Sequence, residues 1–206
     1  MRRLIERCFA GTSPAPPEHY RIPGVPGDLP PALERLRPGR LVPAAVLVPV
    51  IERPQGLTVL FTVRAPGLRH HAGQVSFPGG RLDPADPGPR EAALREADEE
   101  VGLGGELVQV VGYLPNYMTI TGFSVTPVVG FVADAFQPHP DTTEVSEAFE
   151  VPLDVLLEPG SMQLRHKRFM GVKLPFFEMP WGEHLIWGAT AAMLVNFRDI
   201  LRGYEE

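Results

Sequence analysis

A single α/β domain is the fold class predicted for this chain of 206 residues, and three observations predict it. Runs rich in Val, Leu and Ile are punctuated by turn residues, and helical patterns enter among and after them, a mixed order of β and α with helices late. The chain carries 24 prolines and 21 glycines without a repeating period, which excludes a collagen-like molecule and disfavours an all-helical bundle, because proline breaks helix interiors. Hydrophobic residues make up 44% and charged residues 21%, enough apolar side chain for a core and too much for wholesale disorder. No internal repeat or low-complexity linker cuts the chain in two. Residues 1–40 read as a proline-rich arm with a short helix at 32–36, and residues 41–206 as the folded domain.

The elements follow in order. Residues 13–31 hold seven prolines and few large apolar side chains, so they read as an irregular arm laid over a body or left mobile. Residues 44–52 and 57–64 are strand-like with Pro54-Gln55-Gly56 between them, a hairpin signal. Residues 73–88, dense in Gly, Pro and Asp, are predicted to be mainly loop. Pro89 suits the first turn of a helix over 90–101, which Gly102 and Gly104 stop. Strands are expected at 107–114 and 125–132, a polar stretch at 137–143, a short helix at 152–157, two strands within 165–177 and a terminal helix at 189–202.

Charge and termini narrow the function. Nineteen Lys and Arg against 25 Asp and Glu give a net charge of −6, a poor match to nucleic acid or an anionic membrane. Cys8 is the single cysteine, which excludes an intramolecular disulfide and a multi-cysteine zinc site. Glu6 and Arg7 interrupt any apolar core of a signal peptide, and the apolar run 41–51 is too short to span a bilayer and contains Pro43 and Pro49. The expectation is a cytoplasmic protein, a monomer or a homodimer, that binds neither membrane nor nucleic acid.

Residues 90–103 read Arg-Glu-Ala-Ala-Leu-Arg-Glu-Ala-Asp-Glu-Glu-Val-Gly-Leu. At roughly 100° per residue, Leu94, Ala97 and Val101 form the stripe predicted to be buried, and Glu96, Glu99 and Glu100 gather on the opposite arc. Like charges at these spacings repel by about a few tenths of a kcal/mol per pair. Two readings are open from the helix alone. It presents a solvated acidic face, with Arg95 pairing Glu91 and Glu99, or a divalent cation absorbs the repulsion. Clustered carboxylate oxygens on a rigid helix suit Mg2+ or Mn2+.

Upstream stands Phe77-Pro78-Gly79-Gly80-Arg81-Leu82-Asp83, where adjacent glycines let backbone approach a ligand. Together the two segments resemble the Nudix box. Its second half, R-E-U-x-E-E-x-G-U with U aliphatic, is matched by Arg95-Glu96-Ala97-Asp98-Glu99-Glu100-Val101-Gly102-Leu103, with Ala97 a small choice for U. In the first half the loop from Gly80 to Arg95 is one residue longer than the pattern, and Asp86 stands where a glutamate is expected. Leu60-Phe61-Thr62-Val63-Arg64-Ala65, then Arg69, Gly73 and Phe77-Pro78-Gly79-Gly80, is similar to a motif of the coenzyme A pyrophosphatase branch of Nudix hydrolases. Only Phe61 departs from it.

The resemblance implies a Nudix α/β/α sandwich with a mixed β-sheet over residues 41–206, and Mg2+- or Mn2+-dependent hydrolysis of coenzyme A to 3′,5′-ADP and 4′-phosphopantetheine. On that reading the metal ligands are Glu96, Glu99 and Glu100 with the Gly80 carbonyl, and Gly79 and Gly80 line the substrate site. Arg95 orients a helix carboxylate. Glu144 or a helix glutamate is the general base, with Glu147 the other carboxylate nearby. Arg64 and Arg69 are partners for the substrate's phosphates, including the 3′-phosphate, because guanidinium binds phosphate in a bidentate manner; a salt bridge tying the loop to the body is the other reading. His70 and His71 would point apart, which argues against a paired-histidine metal site. His184 and Trp187 are expected to be structural. The rivals are ADP-ribose, NADH or an oxidised nucleotide as substrate, and a Nudix-fold binding or regulatory module without turnover.

Overall fold

Alternation of apolar side chains along one strand sets the architecture. In β1 (Val42–Arg53), Ala44, Val48 and Val50 point into one core, and Ala45, Leu47 and Ile51 into another on the opposite face. Both faces are therefore covered. The computed structural model describes residues 1–23, 39, 41–68, 71–169 and 171–203.

β2 (Gly56–Arg64) turns back antiparallel on β1 through Pro54-Gln55. Two short strands, β3 (Val75–Ser76) and β4 (Gly79–Arg81), lie within the stretch expected to be loop. α2 (Pro89–Val101) follows, closed by Gly102 in the left-handed conformation at φ 70°. Then come β5 (Val108–Tyr113), β6 (Tyr117–Met118), β7 (Phe123–Val132), β8 (Val145–Pro152) and the short helix α3 (Leu153–Leu157). β9 (Gln163–Phe169), β10 (Val172–Trp181) and β11 (His184–Trp187) form a separate antiparallel sheet, and α4 (Gly188–Arg202) ends the described chain. The main sheet is mixed, with β1 and β7 parallel and its other pairs antiparallel.

Pro49 is accommodated inside β1 because the strand has parted there from β2, whose pairing starts at Val50, and has not yet reached β4, whose pairing ends at Val46. On one face α2 packs through Ala92, Ala93, Ala97 and Val101, small side chains that bring the helix close to the sheet. On the other, α4 buries Leu194, Phe197 and Leu201 with Ile5 and Phe9 of α1 (Arg2–Phe9). Each large side chain removed from water contributes about 1.5–3 kcal/mol, so two such layers hold the sheet between them. This is the α/β/α sandwich that the resemblance implies.

Several elements were not expected. α1 stands where the local sequence shows only a basic start; it is held by Ile5 and Phe9, the latter stacked 5.5 Å from Phe197. The strands at β8 and β11 were missed as well. The expected helix at 32–36 lies outside the described residues. The proline-rich segment, as far as Pro23, lies against the body: Ser124 donates to the Pro17 carbonyl, and Asn116 to those of Ala15 and Pro16.

Candidate active site

The sheet splays at one end. β1 and β2 pair only near their shared turn, and β3 fills in beside β2 while β4 pairs with Ala44–Val46 of β1. Pro78-Gly79-Gly80 thereby lies flat on the sheet edge under α2. A Cβ on Gly79, whose φ is 154°, would stand 2.4 Å from the Ala45 carbonyl oxygen, so the close approach requires glycine. At Gly80 the obstacle would be the Glu96 carboxylate, 2.5 Å away.

Glu100 corrects the helical-wheel expectation. It sits on the buried side of α2 beside Ala93 and Ala97, only 2% exposed, and not with Glu99 on a solvent arc. The Phe77–Gly80 loop covers that side of the helix. Glu100 Oε2 accepts the Gly79 N–H at 3.3 Å, and Oε1 lies 3.6 Å from Arg64 Nη1. Burial pushes its carboxyl up to about 7, with Glu96 and Glu144 adding repulsion and Arg64 and the Gly79 N–H pulling the other way. Burial also raises Glu96, against Arg95. Leu94, expected in the buried stripe, is half-buried at its margin, and Ala92 and Ala93 take its place.

Arg95 is the hub of the helix carboxylates. Its Nε and Nη2 fork onto Asp86 at 3.2 and 3.0 Å, Nη1 reaches Glu96 at 2.9 Å and Glu99 at 3.0 Å, and Nη2 also donates to the Arg81 carbonyl. Arg95 holds Asp86 below the usual carboxylate value, and Asp86 in turn raises Arg95. In the loop one residue longer than the pattern, the shorter aspartate still reaches the arginine.

Glu144 is exposed, and its backbone is fixed beside the end of β2, accepting the Ala65 N–H at 2.8 Å and donating to Asp141 at 3.0 Å. Its charge reaches both Glu96 and Glu100. Arg64 has a buried Nε without a hydrogen-bond partner. Arg69 and His70 lie outside the described residues. His71, at φ 60°, pairs with Gln74. Trp187 meets Phe176 edge-on at 6.1 Å and immediately precedes α4.

Sequence reasoning overlooked an aromatic ladder. Phe77, next to Pro78, stacks on Phe61, Phe61 on Phe149, and Phe149 on His184, whose ring centroid is 3.9 Å away. His184 Nε2 stands 3.3 Å from Glu147. Strand alternation at β8 is the signal that could have found it, had that strand been recognised.

Among the described residues no three acidic or imidazole side chains converge closely enough to surround a cation, since Arg95 draws Glu99 and part of Glu96 to itself. The chemistry of the donors nevertheless fits a hard divalent ion. Desolvated carboxylates repel one another beside a glycine backbone, and an oxygen-seeking cation relieves that repulsion.

Residues 41–171 match the family model of the NUDIX domain. A protein of Pectobacterium atrosepticum described as an uncharacterized Nudix hydrolase, NudL, is 44% identical over 81% of this chain and 85% of its own length. A NudL of Klebsiella pneumoniae is 45% identical over 73% and 78%. The crystal structure of a Nudix hydrolase from M. smegmatis, RenU, is 29% identical with a TM-score of 0.48, over 55% of this chain and 72% of its own.

Proposed function

The chain belongs to the Nudix family and is a Nudix hydrolase, and from that premise we propose that it cleaves the pyrophosphate bond of coenzyme A or its derivatives, giving 3′,5′-ADP and 4′-phosphopantetheine. One observation carries the reading: the branch motif and the carboxylate helix meet at a single point. Arg64 of the motif lies against Glu100, and Gly79 and Gly80 touch Glu100 and Glu96.

Nudix hydrolases generally use divalent metal ions. Here Glu96, Glu99 and Glu100, with the Gly80 carbonyl, would hold Mg2+ or Mn2+, which when bound neutralises pyrophosphate charge and acidifies water. The chain's own residues do the rest. Asp86 anchors Arg95, and Arg95 aims Glu96 toward Gly80. Arg64, with Nη1 against Glu100 and its side chain a quarter exposed, donates to a phosphate oxygen of the substrate. Glu144, exposed and within electrostatic reach of Glu96 and Glu100, takes the proton of the attacking water; a helix glutamate is the other candidate for that step. Residues 41–206 are read as the catalytic unit, and α1 ahead of it packs into the same core through Ile5 and Phe9.

The test is a substrate panel of coenzyme A, acyl-coenzyme A, ADP-ribose, NADH and deoxynucleoside triphosphates, with Mg2+ or Mn2+ and products identified by mass. Cleavage of coenzyme A to the two stated products is expected. Cleavage of ADP-ribose far ahead of coenzyme A overturns the branch assignment.

A further inference from the structure

The small sheet leaves its β9–β10 hairpin without a role in the site as described. The hairpin extends beyond the point where β11 stops: β11 pairs with Glu178–Trp181 alone, and β10 continues back to Val172 with only β9 beside it. Its root is fastened to the splayed end of the main sheet. His184 at the start of β11 stacks on Phe149 and meets Glu147, three residues after Glu144. Thr190, just after β11, donates to the Val75 carbonyl at 3.0 Å, two residues before Phe77.

Charge is distributed unevenly here. Within a chain of net −6, residues 163–181 hold four of the 19 Lys and Arg (Arg165, Lys167, Arg168 and Lys173) and only one of the 25 Asp and Glu. That one, Glu178, is paired with Arg165 at 2.8 Å. The register sorts the cations by face. Lys173 pairs with Arg168, and Phe177, Met179 and Ile186 continue the same face inward to the core. Arg168 and Lys173, both exposed, thus stand on the face of the small sheet that carries Phe177, Met179 and Ile186 into the core at its root, and Arg165 and Lys167 stand on the opposite face. β9 is an edge strand, and charge there discourages strand pairing. That purpose needs no particular face.

We propose that the inward face of the hairpin is a second anion subsite, in which Arg168 and Lys173 receive a phosphate of the substrate outside the scissile pyrophosphate. This rests on the reading of the chain as a hydrolase of nucleotide derivatives, and it makes the hairpin a specificity element for substrates that carry an additional phosphate. In an acidic protein such a cationic arm also draws anionic substrate toward the carboxylates.

Binding of adenosine 3′,5′-bisphosphate and of AMP, measured by titration calorimetry, tests the subsite without turnover. The protein as described is expected to prefer the bisphosphate by about tenfold, and R168Q/K173Q to shrink the ratio to about twofold or less. The outward-facing pair R165Q/K167Q should keep the ratio. A ratio near one at the start, a ratio that survives R168Q/K173Q, or an equal collapse in R165Q/K167Q overturns the subsite. Bisphosphate preference without any cleavage of coenzyme A overturns the proposed activity and leaves the subsite standing.

Discussion

Two arginine–carboxylate clusters sit on this fold, and they differ in stoichiometry. At the hairpin end, Arg53 forks onto Glu150 at 3.1 and 2.6 Å, Thr58 donates to the same carboxylate, and Asp134 takes the remaining Nη1. There the less exposed carboxylate, Glu150, holds the guanidinium fork while Asp134 stays largely in solvent, and Glu150 ends below its ordinary carboxylate value. At the splayed end, Asp86, Glu96, Glu99 and Glu100 gather around Arg95 and Arg64, and the charge of Glu144 adds to the repulsion on Glu96 and Glu100. Asp86 is satisfied, and burial leaves Glu96 and Glu100 raised. The same residue types thus make a structural tie where a shielded carboxylate has its own guanidinium, and a candidate reactive site where shielded carboxylates outnumber the guanidinium groups. Excess buried charge costs stability, and a fold keeps it where something else depends on it.

Neutralising one carboxylate at each end should therefore have opposite effects. Glu100→Gln is expected to lower kcat/KM for pyrophosphate cleavage by about a hundredfold or more. In chelator at neutral pH it should raise the melting temperature by about a few degrees, since a buried, repelled charge is removed. Product formation and calorimetric melting check the two halves. An active Glu100→Gln protein means that the metal site is misplaced, and a melting temperature that falls sharply means that Glu100 is a structural tie like Glu150.

The two ends were also unequally legible in the sequence. The box helix, its Pro89 start and its Gly102 stop follow from local residue chemistry, and the run from Arg95 to Leu103 carries the family resemblance unaided. The depth of Glu100 was not legible. At 100° per residue it falls at the border of the arc assigned to Glu96 and Glu99, and the covering Phe77–Gly80 loop is a tertiary fact. Asp86 as the anchor of Arg95 was hidden by the longer loop, which sets it one residue farther from the arginine than the pattern has its glutamate. The Arg53–Glu150 tie joins the end of β1 to β8, far apart in sequence, and no strand is expected from the local pattern where β8 lies. α1 is likewise held by long-range packing of Ile5 and Phe9, which no short-range pattern announces.

The paired glycines sharpen the contrast within the site itself. Gly79→Ala would press a Cβ onto the Ala45 carbonyl and the Val46 backbone at a φ of 154°, where neither neighbour can yield. The expected cost is about 2–3 kcal/mol of stability, read from denaturant unfolding. Gly80→Ala meets only the end of the flexible Glu96 side chain. It should leave stability within about 1 kcal/mol and displace the carboxylate, lowering kcat by about tenfold. If Gly80→Ala is the more unfolded of the two, the account of which glycine serves the backbone and which serves the site is reversed.

Glu150→Gln makes a smaller change, about 1 kcal/mol of destabilisation at pH 7, because the amide oxygen keeps one hydrogen bond of the arginine fork and the amide NH2 cannot accept the other. Its pH dependence is the finer test. Burial pushes Glu150 up, and hydrogen bonds from Arg53 and Thr58 outweigh it, so the folded value lies below the unfolded one. A carboxyl depressed by folding contributes its full stabilisation above the unfolded value, about 4.3, and loses it as pH falls through the folded value. Unfolding followed in chelator from about pH 6 down to about pH 3 should show the unsubstituted protein and Glu150→Gln converging toward the acid end. Asp86 has the same sign but is present in both proteins, so their difference isolates Glu150. A gap that stays constant over this range would mean that Glu150 contributes through its shape and hydrogen bonds and not through its charge, and the contrast between a matched and an unmatched cluster would lose its electrostatic basis.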